Sequence, residues 1–303
     1  MTDAMIPAWS AEQKQALGRK ALRFAHRLAD SGLFTDDALA EMLDACPDGQ
    51  LIINLYPGDD ASVEGFRTGS RGGLNGAEIV QAVKAGRLWL QVSSVQRRHD
   101  GLGGLVDRCL DGMAGEVRGF RPRVLSANLL ISAPGARVPY HADPVPIVLF
   151  HLRGRKRLYV YPKDELRLPQ DRLEQIVLET TTEDLPYRRE WDADATICEL
   201  QPGDAVTWPV HAPHRVENLD GLNVSLSIEF LSWPTRFASG ALMLNGLLRS
   251  RGLPPLPQRL IPTPLRALMW AAAGVAKRVG LTPRPWTFAE REKTFNIATA
   301  AQV

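Results

Sequence analysis

The chain has 303 residues, 45% of them hydrophobic, and a formal net charge of +2. That is long enough for one large barrel with helical decoration, and too nearly neutral to argue for nucleic-acid binding by the whole molecule. Cys46, Cys109 and Cys198 lie far apart with no Cys-x-x-Cys pair, which argues against a disulfide framework or a structural zinc site and fits a reducing, cytoplasmic setting.

In chain order, the first ten residues hold neither a basic leader nor a sustained apolar core, so no secretory signal is expected. Apolar residues at helical spacing predict helices over Ala11 to Ala29 and Thr35 to Cys46, the second with Thr35 as its cap. Leu51 to Tyr56 reads as a strand stopped by Pro57. Residues 58–76, with Gly65, Gly69, Gly72, Gly73 and Gly76, read as a flexible connection over the site, because a phosphate cradle would need a different glycine spacing and a following Lys-Ser/Thr. A helix over Ala77 to Ala85, a strand over Arg87 to Val95 and a helix over Leu105 to Met113 lead to a barrel that starts near Arg123. In the strand Arg123 to Ser132, Ser126 and Asn128 share one face and Leu125, Ala127, Leu129 and Ile131 the other. Ser225 and Ser227 alternate likewise in the strand Asn223 to Phe230.

His141 and Asp143 form a His-Ala-Asp run after the Arg137 to Tyr140 stretch. Residues two apart on a strand point to one side, so both can grip one ion. His214 follows the turn and strand Leu200 to Pro209 and supplies a third ligand. Two histidines and one carboxylate bind non-haem Fe(II) on one face and leave the opposite positions open for a co-substrate and O₂. His211, three residues before His214, is the competing ligand. His151 has the parity of His141 and Asp143 if the strand continues past Pro144 and Pro146, and is read as a pocket residue together with Tyr140, Trp208 and His211. His26 and His99 receive no role.

With these residues in place, the chain resembles the JmjC-type, cupin-fold Fe(II)/2-oxoglutarate-dependent oxygenases, in particular the asparaginyl hydroxylase of hypoxia-inducible factor and its bacterial relatives, over roughly residues 120–235. In that family a lysine fifteen positions beyond the first histidine binds the far carboxylate of 2-oxoglutarate, and here that position is Lys156. The interval from Pro202 to His214 also matches the family's Pro-Gly-Asp turn and second histidine. The resemblance implies a mainly β, α+β fold: a double-stranded β-helix (jelly-roll, cupin) core over 120–235 with an insertion at 163–199, N-terminal helices and strands over 1–119 packing on the barrel, and C-terminal helices over 236–303. Two polar contacts to 2-oxoglutarate present in the hydroxylase are replaced by Val138 and Ile147, so Asn128, Ser225 and Ser227 become the candidates for substituting them.

The implied activity is hydroxylation of an unactivated C–H, or hydroxylation leading to demethylation, with conversion of 2-oxoglutarate and O₂ to succinate and CO₂. The Asp143 carboxylate disfavours halogenation, which needs that position free. The alternatives are a cupin metalloenzyme of another type, an isomerase or a 2-oxoglutarate-independent dioxygenase, and a non-catalytic binding module. The substrate is a protein, a peptide or a small molecule. The charged insertion Lys163 to Glu199, with Tyr187 to Trp191, is the first candidate for recognising it, because it is spliced between the halves of the metal site.

Toward the C-terminus, nine basic residues between Arg249 and Val303 face two acidic ones, a local charge of +7. Leu265 to Val279 reads as a helix with an apolar face of Leu265, Leu268, Met269, Ala272, Val275 and Val279. The apolar run Ala267 to Ala276 is shorter than the ~20 residues of a membrane span. The face is therefore expected to make a homodimer, as relatives do through C-terminal helices, with an anionic membrane surface as the other option.

Overall fold

The computed structural model describes residues 4–55, 67–285 and 292–300. Its N-terminal part holds α1 (Ala11–Ala16), β1 (Leu22–Ala25), α2 (Asp36–Asp44), β2 (Leu51–Leu55), β3 (Arg67–Ser70), α3 (Gly76–Ala85), β4 (Leu88–Val92) and α4 (Asp100–Glu116). Thr35 does cap α2, its hydroxyl accepting the Ala38 N–H at 3.3 Å. At α3 the Asn75 side chain takes the Glu78 N–H at 2.9 Å and the Glu78 carboxylate takes the Asn75 N–H at 2.8 Å, a reciprocal cap.

Two expectations are corrected here. The helix over Ala11 to Ala29 ends at Ala16, and Gly18 turns the chain at φ +71°. Leu22 and Phe24 are then buried while Arg23 and Ala25 are exposed, the period of a strand. This strand pairs antiparallel with a distant one, Leu22 opposite Thr207 and Ala25 opposite Asp204. A long-range pairing has overridden a local helical pattern. The connection over 58–76 is likewise not all loop: β3 pairs with β2, and part of the expected loop, 58–66, lies outside the described residues.

The remaining elements are β5 (Arg123–Ser132), β6 (Arg137–His141), β7 (Ile147–Arg153), β8 (Lys156–Val160), α5 (Gln170–Val177), β9 (Thr196–Leu200), β10 (Asp204–Thr207), β11 (His214–Asn218), β12 (Asn223–Leu231), α6 (Trp233–Arg249), α7 (Thr263–Arg278), β13 (Lys293–Asn296) and α8 (Ile297–Ala300). They build two sheets, a large one in the order β1-β10-β7-β12-β5-β4-β2-β3-β13 and a small one in the order β6-β11-β8-β9. The chain crosses between the sheets at each step from β5 to β8 and again at each step from β9 to β12, the winding of a jelly roll.

Side-chain alternation sorts the apolar residues into layers. On β7, Val148 and Phe150 join the main core with Leu129, Ile131, Leu226 and Ile228, on the face of the large sheet that the N-terminal elements cover. Leu149 points the other way and meets Leu158, Val160, Val206 and Trp208 between the sheets. The outer face of the small sheet is roofed by residues of the 163–199 insertion, in a cluster of Tyr140, Tyr159, Tyr161, Leu173 and Trp191. α7 lies against α6, where Gly240 allows a close approach: a Cβ there would stand 2.5 Å from the Trp270 Cα. Among the described residues, no helix is long and apolar enough to cross a membrane.

Candidate metal centre and its cavity

His141 is the last residue of β6 and His214 the first of β11, and the two stand opposite each other in the small sheet. Asp143 is not on the same strand as His141, as the sequence suggested. It lies just past the end of β6, where the chain passes to the large sheet through Pro144 and Pro146. The three side chains nevertheless converge: one ligand atom from each lies within 4.8 Å of the others. The His214 Nε2 is 3.3 Å and the His141 Nε2 3.7 Å from the Asp143 carboxylate.

Both rings are held in the orientation a metal ligand needs. His141 Nδ1 lies 2.8 Å from the Pro139 carbonyl and His214 Nδ1 lies 3.1 Å from the Ala212 carbonyl. A carbonyl only accepts, so each Nδ1 carries the proton and each Nε2 offers its lone pair to the centre. Burial lowers the His214 pKa to about 4, and burial together with the neighbouring His214 lowers that of His141. Both imidazoles are thus neutral near pH 7. Burial raises Asp143 to about 6, with His141 opposing, and its Oδ2 has no hydrogen-bond partner. A buried carboxylate oxygen with no donor, beside two imidazole lone pairs, is the donor set of a divalent cation.

The triad opens into a cavity of about 350 Å³ between the sheets, lined also by Trp208, Val138, Ile147, Ser227, Asn128 and Lys156. Trp208 stacks on His214 with ring centroids 4.6 Å apart. Lys156 begins β8 and is 3% exposed. Burial pulls its pKa down to about 7, and its ammonium makes no hydrogen bond or ion pair to a described residue. An ammonium without a partner in an enclosed wall calls for an anion. Ser225 does not reach the cavity wall; its hydroxyl bonds His151 Nδ1 at 3.0 Å.

Four further readings change on this geometry. Asn128 does line the cavity, but its amide is engaged by protein groups: Oδ1 accepts from the Ser94 N–H at 3.1 Å and the Ser126 hydroxyl at 2.9 Å, and Nδ2 donates to Glu229 at 2.8 Å. Tyr140, adjacent to His141 and so of opposite parity, turns away from the cavity and packs on Tyr161, at a centroid distance of 4.9 Å, and on Trp191. His151 does not continue the strand of His141, because the two prolines end it. It sits on β7 in the other sheet, buried, with Nε2 at 3.0 Å from the Gly154 carbonyl. His211 adopts φ +65°, and its Nε2 lies 3.1 Å from the Pro144 carbonyl, so it ties the approach to His214 to the chain that carries Asp143.

The insertion divides between two tasks. Trp191 and Tyr187 are in the outer cluster, and Asp192 receives the Arg215 guanidinium at 2.7 Å, next to His214. Residues 183–185 instead run along the end of β6, the Ala142 N–H donating to the Glu183 carbonyl at 3.1 Å and the Leu185 N–H to the Tyr140 carbonyl at 3.0 Å. This places Glu183 and Asp184 on the cavity rim.

Sequence reasoning did not name Trp89, Gln91 or Glu229, which line the cavity. Trp89 and Gln91 come from β4, an N-terminal strand whose neighbours in space only the sheet order reveals. Glu229 continues the alternation of Ser225 and Ser227 and could have been found by extending it two residues. Its carboxyl is pushed up to about 7 by burial and then by the Asp143 charge, with Asn128 opposing.

Residues 107–232 match the family model of a cupin-like domain, and that stretch holds His141, Asp143 and His214. Among solved structures the chain is similar to ycfD from Escherichia coli at 16% identity and a TM-score of 0.49, over 90% of this chain and 69% of that one. It is also similar to the Escherichia coli ribosomal oxygenase YcfD at 16% identity and 0.43, over 82% of this chain and 60% of that one. A third structure, of YcfD with cobalt and 2-oxoglutarate, matches at 15% identity and 0.48, over 95% of this chain and 74% of that one. The chain therefore spans between 60% and 74% of the length of these three structures. No curated protein matches the chain in sequence.

Proposed function

We propose that the chain is an Fe(II)- and 2-oxoglutarate-dependent dioxygenase that hydroxylates an unactivated C–H of a protein side chain or other substrate, with release of succinate and CO₂. The observation that carries this reading is the pairing, in one cavity, of a complete two-histidine, one-carboxylate donor set with a buried lysine that has no partner among the described residues. His141, Asp143 and His214 would hold the iron, and Lys156 would take the far carboxylate of 2-oxoglutarate. Iron bound there supplies the activation of O₂ and the oxidative decarboxylation of the keto acid.

The protein's own part is positional. The Pro139 and Ala212 carbonyls hold both imidazoles by their Nδ1 protons. Asp143 neutralises part of the metal's charge. Lys156 orients the co-substrate by a charge-assisted hydrogen bond. Trp208, Val138, Ile147 and Leu149 exclude water from the reacting centre. On this reading the substrate enters past Glu183 and Asp184, and the apolar outer face of α7 pairs with a second copy.

Succinate formation from 2-oxoglutarate that requires added Fe(II) tests the assignment. It is expected in the wild-type protein and absent from His141→Ala, Asp143→Ala and His214→Ala. Metal binding with no 2-oxoglutarate turnover and no dependence on Lys156 would move the chain to a cupin of another reaction type.

A further inference from the structure

Among the described residues none bonds the Lys156 ammonium, so its place is set by the backbone that carries it and by the side chains it lies against. Both lead to His151. On β8, Val160 is opposite His214, whereas Lys156, at the far end, is opposite Asn218. Lys156 opens β8 straight after Gly154 and Arg155, which join it to the end of β7. On β7, His151 has the parity of Ile147 and Leu149, two residues of the cavity wall, and stands opposite Ser225 on β12. It is fully buried, and burial, followed by the Lys156 charge, lowers its pKa to about 3. Ring and ammonium are therefore neighbours, and the ring is neutral.

The hydrogen bonds of this ring have one consistent reading. Nε2 lies 3.0 Å from the Gly154 carbonyl, which only accepts, so Nε2 carries the proton. The lone pair is then on Nδ1, and the Ser225 hydroxyl at 3.0 Å donates to it. A side chain thus braces the turn that leads into Lys156. Backbone holds its other side, the Arg155 N–H donating to the Asp220 carbonyl at 3.1 Å and the Leu219 N–H to the Arg155 carbonyl at 2.8 Å. Gly154 adopts φ +76°, and a Cβ there would stand 2.8 Å from the Leu222 carbonyl oxygen, so the turn has no room to shift toward the β11–β12 connection. His151 is itself fixed: its carbonyl accepts from the Gly203 N–H at 3.0 Å and from His26 Nε2 at 3.1 Å. His26 is set in turn by the Leu28 N–H, which donates to its Nδ1 at 3.0 Å.

We propose that His151 is a positioning residue for the co-substrate: it acts through Lys156, holding the Gly154 turn and the ammonium where the far carboxylate of 2-oxoglutarate meets them. Ser225 is the donor that fixes the ring's tautomer, and the inference rests on the oxygenase reading above. A neutral imidazole suits the place for two reasons. It donates to the turn through one nitrogen, and it puts no second positive charge beside a buried ammonium that already lacks a partner.

The test titrates the Co(II)-loaded protein by calorimetry with 2-oxoglutarate and with 2-oxovalerate, which offers the metal the same keto acid end but carries a methyl in place of the far carboxylate. His151→Leu is expected to weaken 2-oxoglutarate roughly tenfold, the loss of one buried hydrogen bond, and to leave 2-oxovalerate and Co(II) binding unchanged. A purely structural role would weaken both keto acids together. His151→Gln, whose amide N–H can take the place of Nε2, should restore most of the affinity. In a Lys156→Met background His151→Leu should cost nothing further, since the two act on one contact. Unchanged 2-oxoglutarate affinity in His151→Leu, equal losses for the two keto acids, or a full further loss on top of Lys156→Met overturns the proposal. Should His151→Leu fail to fold, Ser225→Ala carries the same comparison, with a loss expected for 2-oxoglutarate alone. No binding of 2-oxoglutarate to the Co(II)-loaded wild type removes the oxygenase reading, whereas binding that no His151 or Ser225 variant disturbs removes the inference only.

Discussion

His211 and His214 are three residues apart and both buried, yet they do different work. His211 must donate from Nε2, because its neighbour there is the Pro144 carbonyl, which leaves Nδ1 to accept from the Lys163 ammonium at 3.4 Å. Neither ring nitrogen is free for a metal. His214→Ala is therefore expected to abolish Co(II) binding measured by calorimetry. His211→Ala should retain a site weakened by roughly 10–100-fold, the usual cost of losing a support behind the ligands. Equal loss in both variants would return His211 to the ligand set.

Lys156 gives a second expectation at the residue scale. A charge-assisted hydrogen bond contributes about 1.5–3 kcal/mol, so Lys156→Met should weaken 2-oxoglutarate at least roughly tenfold while Co(II) still binds. Burial holds the free ammonium at about 7, below its ordinary 10.5, and the neighbouring His151, lowered to about 3, stays neutral throughout that window. A bound carboxylate favours the charged ammonium. Affinity should thus fall as pH rises above 7, and binding at pH 8 should take up a proton, seen as a dependence of the calorimetric heat on buffer ionisation enthalpy. The same lowered value makes the fold lose stability as pH falls from 10.5 toward 7, because the unfolded chain holds the proton that the folded one rejects.

These residues were legible in different degrees. His141 and Asp143 were read together from their two-residue spacing, although Asp143 lies past the end of the strand, whereas His214 and Lys156 were placed by the intervals of the family the chain resembles. Glu229 obeyed the alternation of Ser225 and Ser227 and was passed over because the two serines drew the reading. Tyr140 was read as a pocket residue although its parity, opposite to that of His141, already turns it to the far side of the strand. Trp89 and Gln91 depend on which strand lies beside β5, and no local pattern encodes that.

Among elements, the α6–α7 pair shows what a single missing side chain permits. At Gly240 a Cβ would stand 2.5 Å from both the Cα and the Cβ of Trp270, backbone that cannot swing aside. Gly240→Val should push the helices apart, loosen the Ala241, Ile261 and Met269 contact and cost about 1–3 kcal/mol in chemical denaturation, the range for overpacking. An unchanged midpoint would mean that the helices do not approach as described. Helix α7 was legible from Leu265 to Val279 because its apolar spacing is local and Pro262 and Pro264 mark its start. The segment Leu22–Ala25 was misread because its partner β10 lies far along the chain, and a short apolar alternation embedded in a helical pattern does not declare its period.

For the molecule as a whole, the outer side of α7 is the feature that asks for a partner. Leu268 is 68% exposed, Val279 62% and Val275 58%, whereas Trp270 packs on Trp233 and Phe237 of α6. A contiguous apolar face of this kind marks an interaction surface. Multi-angle light scattering at micromolar concentration is expected to give twice the chain mass, and Leu268→Asp with Val275→Asp to give a monomer. Cutting the chain after Leu260 would be the poorer test, since it also removes β13, which runs parallel to β3 at the edge of the large sheet. A wild-type monomer that binds anionic vesicles would transfer the face to a membrane surface.

The pairing of β1 with β10 also sets an order of events during synthesis. A nascent chain that has exposed the first two ligands holds only half of the small sheet's facing pair, and its first strand has nothing to lie against until Asp204–Thr207 leaves the ribosome. Wiring of such long sequence range folds slowly. The closed centre therefore exists only once His214 has emerged as well, and a metal bound there would draw the last-formed arrangement toward the native state by binding that state alone.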